Sequence, residues 1–165
     1  MRRFGFWLAS LALAGAACGP YGFTQGGFPS HIRTMAILPF ENETTSPDIS
    51  KELLDEMRTE LQKRLGVRDA PQERANAIVR GKIRAYDADV PVGFSANPQT
   101  ALTARRQLQV TIDITITDQS NGRVLLQQTG MSERAEYDER AELEGRRLAV
   151  KRLVNTIVEK AQSQW

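Results

Sequence analysis

Side chains that could carry out chemistry are few in this chain. It contains one cysteine, Cys18, and one histidine, His31. A nucleophile with a general base, or a metal site built from several Cys and His ligands, needs more such residues than these. His31 also follows a glycine-rich stretch, so we expect it to be solvated. The sequence therefore predicts a protein that is not an enzyme and that needs no cofactor.

The setting of Cys18 predicts a lipid anchor. Arg2 and Arg3 precede an uncharged run from Phe4 to Ala17. A basic start and a short apolar run that ends in small residues are typical of a secretory signal peptide, here residues 1–17. The run is too short for a membrane span, which needs about 20 residues. A cysteine directly after the cleavage site is typical of a bacterial lipoprotein, whose thiol carries lipid, palmitate included. An ordinary signal peptide followed by an incidental cysteine is the alternative.

Five basic residues form the second candidate site. Arg80, Lys82 and Arg84 alternate along one side of a predicted strand, and Arg105 and Arg106 open the next. If the two strands pair antiparallel, Arg84 and Arg105 converge. Guanidinium groups bind phosphate well, so an anionic glycolipid is a candidate ligand. The alternative is a solvated sheet face that Asp113 and its neighbours neutralise.

The charge balance limits the class of partner. Removal of Arg2 and Arg3 with the signal peptide leaves 20 basic and 20 acidic side chains. A net charge of zero gives no general attraction to a polyanion. The sequence therefore predicts no binding to nucleic acid.

Periodicity gives the elements that position these residues. Strands are predicted at 34–40, 77–85 and 108–117, and a hairpin partner follows the turn at 118–122. Apolar residues at helical spacing predict one helix between Pro47 and Gly66 and a second from Tyr137 or Asp138 to Ser163. Residues 93–103 form a polar connection.

This order of elements, β-α-β-β-β-α, predicts an α+β fold. Its sheet has four strands, is mixed but mostly antiparallel, and carries two helices on one face. The first strand is joined to its neighbour through a helix, which favours a parallel pair. We expect three segments: a signal peptide at 1–17, Cys18 with a flexible tether at 18–33, and a single α/β domain at 34–165.

Several stretches of the chain resemble the LPS-assembly lipoprotein family, LptE. They are Cys18 itself, the opening PYGFTQGGFPSHIRTMAILPFENET, the helix SKELLDEMRTELQKRL, the strand AIVRGKIRAY, the hairpin LQVTIDITITDQSNGRVLLQQ and the end AQSQW. The resemblance implies a lipid-anchored, periplasm-facing protein of the outer membrane. It also implies that the protein plugs LptD, a large β-barrel translocon, and assists lipopolysaccharide assembly at the cell surface. Cys18 is the one functional residue that the resemblance carries over.

A second resemblance stays open. The segment RTMAILPFENET is also similar to the first strand of CsgG-like and LpoB-like lipoproteins. It implies a secretion-pore subunit or an activator of peptidoglycan synthases.

Overall fold

The structure is a computed structural model of the 165-residue chain. It describes residues 28–90, 105–138 and 140–163. These residues form an α+β fold in which two helices pack on one face of a mixed sheet, and the predicted fold class is thereby confirmed. Three predicted features lie outside the described residues: the signal peptide, Cys18 and the polar connection at 93–103.

Six strands and two helices make up the fold. In chain order they are β1 (Thr34–Ile37), β2 (Glu41–Asn42), α1 (Asp48–Leu65), β3 (Arg68–Asp69), β4 (Ala77–Val90), β5 (Arg105–Asp118), β6 (Val124–Asp138) and α2 (Glu142–Ser163). A short 3₁₀ helix, Gln72–Arg74, lies between β3 and β4.

The sheet combines parallel and antiparallel pairs. Its strand order is β3-β1-β4-β5-β6, and β2 pairs with β4 beyond the end of β1. The pairs of β1 with β3 and β4 are parallel, while β4, β5 and β6 form an antiparallel meander. Both arrangements were predicted. The sheet has six strands where four were predicted, because β2 and β3 have two residues each, too few to show a period of two in the sequence.

The core lies between the helices and one sheet face. On β5, the residues from Leu108 to Ile116 with even numbers are at most 1% exposed and face α1 and α2. Apolar residues at every fourth position of α1, from Ile49 to Leu61, close the core from the other side. We call the opposite side of the sheet the open face, because neither α1 nor α2 packs on it.

Polar contacts at both ends align the two helices. The guanidinium of Arg146 near the start of α2 donates to both oxygens of Glu52 near the start of α1, at 2.7 and 3.1 Å. At the other end, Arg64 donates to Asn155 and Gln162 at 3.3 and 3.2 Å. The helices therefore run side by side in the same direction.

The start of α2 differs from the prediction. The helix was predicted to begin at Tyr137 or Asp138, but both residues belong to β6, and α2 begins at Glu142. Tyr137 is buried in the core, and its hydroxyl donates to the carbonyl of Ala88 in β4. Its ring passes so close to Gly145 that a Cβ there would lie 2.7 Å from the Cβ of Tyr137. Burial against the sheet and α2 extends the strand beyond the point where helical spacing begins in the sequence.

The end of the predicted tether contacts the domain. Ile32 is buried in the core, and Phe28 packs against it. His31 is exposed, as expected, and its Nε2 also lies 2.7 Å from Oδ2 of Asp118. At least residues 28–33 are therefore held by the fold.

Candidate functional site

The basic residues of β4 lie together on the open face of the sheet. Arg80, Lys82 and Arg84 are directed away from the core, since Val79 and Ile83, which alternate with them along β4, are fully buried under the helices. A shallow depression of about 200 Å³ lies beside Arg80 and Lys82, with Asp113 and Thr115 of β5 on its far side. The three cations therefore lie on one side of β4, as the alternation in the sequence predicted.

Carboxylates surround two of these cations. Lys82 Nζ lies 3.1 Å from an oxygen of Glu41 and 3.1 Å from one of Glu43. Arg84 donates to Glu43 at 3.1 Å and to Asp113 at 2.6 Å. The short strand β2 makes this possible, because its pairing with β4 sets Glu41 opposite Lys82.

The pKa values of the network agree with this neutralisation. Hydrogen bonds from Lys82 and Arg84 lower the pKa of Glu43. The backbone N–H of Gly130, and then Arg84, lower the pKa of Asp113. The same contacts raise the pKa of Lys82 and of Arg84, so all four groups stay ionised at neutral pH. This part of the open face is a balanced ion-pair network, as the alternative interpretation of the sequence proposed.

Arg80 differs from its two neighbours. Its side chain is exposed and forms no ion pair within residues 28–90, 105–138 and 140–163. Arg80 pairs with Thr115 of β5, whereas Lys82 pairs with Asp113. The residue opposite Arg80 therefore carries an uncharged hydroxyl instead of a carboxylate. Of the three cations on β4, Arg80 therefore needs the least reorganisation to meet an anion.

Arg105 and Arg106 lie at the far end of the sheet. The register sets Thr111 opposite Ala85, the neighbour of Arg84. Arg105 precedes Thr111 by six residues in β5, so the two lie about 20 Å apart at 3.3 Å per residue. The predicted convergence of Arg84 with Arg105 is therefore wrong. The side chain of Arg105 lies outside the described residues, and Arg106 forms an ion pair with Asp89 at 3.3 Å.

A buried carboxylate at the opposite end of β5 was missed by the sequence analysis. Asp118 is 1% exposed and opens the turn between β5 and β6. One of its oxygens accepts from the N–H and hydroxyl of Ser120, at 2.8 and 2.7 Å. The other accepts from Asn121 at 2.9 Å and contacts His31 at 2.7 Å. An aspartate followed by Ser and Asn in a turn is typical of this local bonding, and this was the available signal. His31 lies 87 residues away from Asp118 along the chain, so no local pattern in the sequence indicated their contact.

These contacts determine the charge state of Asp118. Its burial acts to raise the pKa, but hydrogen bonds from Ser120 and His31 outweigh that effect and lower the pKa to about 2. The ionised carboxylate therefore holds the hairpin turn to the segment that leads towards Cys18. Its role is to position the chain.

The described residues offer neither a metal site nor a membrane-spanning helix. In the part of the chain that the structure describes, no group of three His, Cys, Asp or Glu side chains is placed to hold a metal ion. Within the same residues, no helix is both long enough and apolar enough to cross a membrane.

Comparison with known families identifies the domain. The model of the lipopolysaccharide-assembly family, LptE, matches residues 32–164, which is most of the chain. This chain belongs to the LptE family. The match begins at Ile32, the first core residue, and runs into the C-terminal end of α2. LptE proteins are non-catalytic lipoproteins of the cell envelope that act in lipopolysaccharide transport, so this LptE-family chain is a lipopolysaccharide-assembly lipoprotein.

Solved structures share the fold of this LptE-family chain. The PelC dodecamer from Paraburkholderia phytofirmans is 16% identical with a TM-score of 0.54, over 84% of this chain and 94% of that one. A putative lipoprotein from Caulobacter crescentus is 15% identical with a TM-score of 0.53, over 80% and 90%. A protein from Xanthomonas campestris is 8% identical with a TM-score of 0.55, over 84% and 90%. At these identities the likeness concerns the fold alone. No curated protein matches the sequence.

Proposed function

We propose that this LptE-family protein is anchored through Cys18 to the periplasm-facing leaflet of the outer membrane. There it plugs the lumen of an LptD-type β-barrel and assists lipopolysaccharide assembly at the cell surface. The observation that carries the proposal is the family match over residues 32–164.

The surface of the domain supports a position inside a barrel. The lumen of a large outer-membrane barrel is polar and filled with water, so its plug needs a polar exterior. Among the described residues, the exposed large apolar side chains are limited to Val124, Leu143 and Leu148. Helix α2 has 22 residues, or about 33 Å at 1.5 Å per residue. This length is similar to that of the apolar band of a barrel, about 25 Å.

Affinity purification tests the partner. A tagged full-length chain is solubilised from outer membranes in mild detergent, and the bound proteins are identified by mass spectrometry. We expect a large β-barrel protein that is recovered in a one-to-one ratio. Recovery of a peptidoglycan synthase without a barrel would refute this function and favour the LpoB-like alternative.

A test of the anchor uses Cys18→Ala. We expect the variant to leave the membrane fraction and to lose labelling by palmitate, because the thiol that carries the lipid is gone. The wild-type chain, treated in parallel, should stay membrane-bound. A variant that remains in the membrane fraction after a high-salt wash would show that lipid at Cys18 is not the tether.

Direct contact with lipopolysaccharide is a narrower proposal. Phosphate at Lys82 or Arg84 has to compete with Glu43 and Asp113, whereas Arg80 forms no ion pair with a carboxylate among the described residues. Arg105 and Arg106 remain candidates at the far end of the sheet.

A comparison of two charge reversals tests this contact. We expect Arg80→Glu to weaken binding of purified lipopolysaccharide several-fold more than Arg84→Glu does, since only Arg84 already has carboxylate partners. Equal binding by both variants and the wild type would remove the open face of β4 as the binding surface.

A homo-oligomeric ring is the second candidate arrangement. It is favoured by the likeness of the fold to PelC, whose structure is a dodecamer. The mass of the detergent-purified complex distinguishes a ring from a plug. A ring contains many copies of this chain, whereas a plug is a single copy bound to a barrel.

A further inference from the structure

The outer edge of β6 is a long strand edge. β6 has 15 residues and lies at the end of the strand order β3-β1-β4-β5-β6. In the described parts of the chain, no strand pairs with its outer side. An edge of this length presents a row of backbone donors and acceptors that another strand can use.

Hydrogen bonds elsewhere in the sheet show which groups of β6 are directed outward. The carbonyls of Val79 and Ile83 in β4 accept from the N–H groups of Leu38 and Glu43, on the side away from β5. Backbone groups alternate in direction along an antiparallel strand. The even-numbered residues of β4 from 78 to 82 therefore bond to β5, where they pair with the odd-numbered residues from 117 to 113. The even-numbered residues of β5 alternate with these, so their backbone groups bond to β6.

The register then assigns the groups of β6. Val110 and Leu108 of β5 pair with Glu133 and Ala135, and these β6 residues are directed inward. Ser132 and Arg134 alternate with them, so their N–H and C=O groups are directed outward. An independent contact agrees, because Arg152 of α2 reaches around the edge and donates to the carbonyl of Arg134 at 2.7 Å.

A groove lies at the C-terminal end of β6, next to this edge. It has a volume of about 350 Å³, and Tyr137, Gly145 and Leu148 contribute to its lining. Gly145 allows Tyr137 to approach the helix closely, and Leu148 is 40% exposed. Asp138 and Glu144 lie on its rim, and none of the described lining residues is basic.

We propose that an extended segment of the barrel partner adds to the outer edge of β6 as a further strand. Its backbone bonds to the outward N–H and C=O groups of Ser132 and to the outward N–H of Arg134, whose carbonyl already accepts from Arg152. It places an apolar side chain in the groove, and it carries Lys or Arg next to Asp138 and Glu144. Such strand addition takes its affinity from the main chain and its specificity from pockets for alternate side chains. This inference rests on the proposed function.

A second copy of this chain fits the edge less well. β6 contains a single basic residue, Arg134. If two β6 strands paired antiparallel about Arg134, two guanidinium groups would lie directly opposite each other, which is unfavourable. In this register Asp138 would face Gly130, so the acidic rim would also lack a basic partner.

Ser132→Pro tests the backbone contact. Proline removes the outward N–H of Ser132 and obstructs strand addition, but leaves the bonds from Glu133 and Met131 to β5 in place. Ser132→Ala is the matched control, because it removes the same hydroxyl and keeps the N–H. We expect the full-length lipidated Ala variant to recover as much barrel as the wild type, and the Pro variant at least tenfold less.

The outcomes separate this inference from the proposed function. Equal recovery by the Pro and Ala variants overturns strand addition at β6 and leaves the plug in place. If the wild type itself recovers no barrel, the proposed function fails, and the partner named here fails with it.

A second measurement does not depend on how well the Pro variant folds. A photo-cross-linking amino acid replaces Ser132 on β6 or, as a control, the exposed Lys51 on α1. We expect barrel adducts from position 132 at least fivefold more abundant than from position 51, and reduced when Asp138→Lys and Glu144→Lys are added. A dominant product with twice the mass of the processed chain would instead show self-pairing and overturn the proposal.

Discussion

Replacement of Asp118 by asparagine should destabilise the domain by an amount that depends on pH. The carboxylate is 1% exposed, and hydrogen bonds from Ser120 and His31 overcome the cost of its burial. They lower its pKa from 3.8 to about 2. At about 1.4 kcal/mol per pKa unit, the native contacts favour the ionised form by about 2 kcal/mol. The asparagine side chain would keep one acceptor oxygen and lose the charge, so we expect a loss of about this size at pH 7.

The sign of the pH dependence follows from the direction of the shift. A carboxylate whose pKa is lower in the folded state stabilises the fold at every pH above its unfolded value, near 3.8. That contribution falls as the pH drops below 3.8 and is lost once the pH passes the folded value of about 2. Urea unfolding of wild type and Asp118→Asn, measured at intervals from pH 7 to pH 2, gives the difference directly.

The difference should shrink as the pH falls between about pH 4 and pH 2. Asp55→Asn is the control, because Asp55 is exposed on α1, and it should change stability by less than about 0.5 kcal/mol. A wild-type advantage over Asp118→Asn that does not vary with pH would refute the reasoning. It would mean that packing, rather than charge, makes Asp118 necessary.

Three further changes test the packing and the ion pairs. Gly81→Ala would place a Cβ 2.2 Å from Cε1 of the buried Phe40, so it should cost about 1–3 kcal/mol in thermal unfolding, and Phe40→Leu in the same chain should recover part of the loss. Arg146→Ala leaves the carboxylate of Glu52 partly buried without its two hydrogen bonds and should cost about 2 kcal/mol, whereas adding Glu52→Ala should cost less than the sum of the single changes. Arg84→Gln breaks exposed ion pairs only, so urea unfolding should show a change of less than about 1 kcal/mol, and a larger loss would contradict the assignment of this network as solvated.

Local patterns predicted most of the regular structure. Leu108 to Ile116 alternate strictly with polar residues, and one face of β5 is buried as a consequence. Helix α1 ends where Gly66 adopts a φ of 64°, a conformation that glycine accepts without strain. Each of these signals is contained in a few consecutive residues, so no knowledge of the rest of the fold was needed.

The boundary between β6 and α2 could not be predicted in this way. Helical spacing predicts that the helix begins at Tyr137 or Asp138, yet both residues belong to β6 and α2 begins at Glu142. Tyr137 is held in the strand by burial against Gly145 and by a hydrogen bond to Ala88. These partners are separated from Tyr137 by very different numbers of residues, and no local pattern contains both.

The sequence by itself determined the α+β class, the order of the long elements and the family to which the chain belongs. It also placed Arg80, Lys82 and Arg84 on one side of β4, because side chains alternate along a strand. Only the tertiary structure decided what those cations meet. The parallel pairing of β2 with β4 brings Glu41 and Glu43 to Lys82 and Arg84, and the β4–β5 register separates Arg84 from Arg105. Ion pairs form between residues about 30 to 40 positions apart. Their geometry is therefore a property of strand register, which the whole sheet sets and which no segment of the sequence contains.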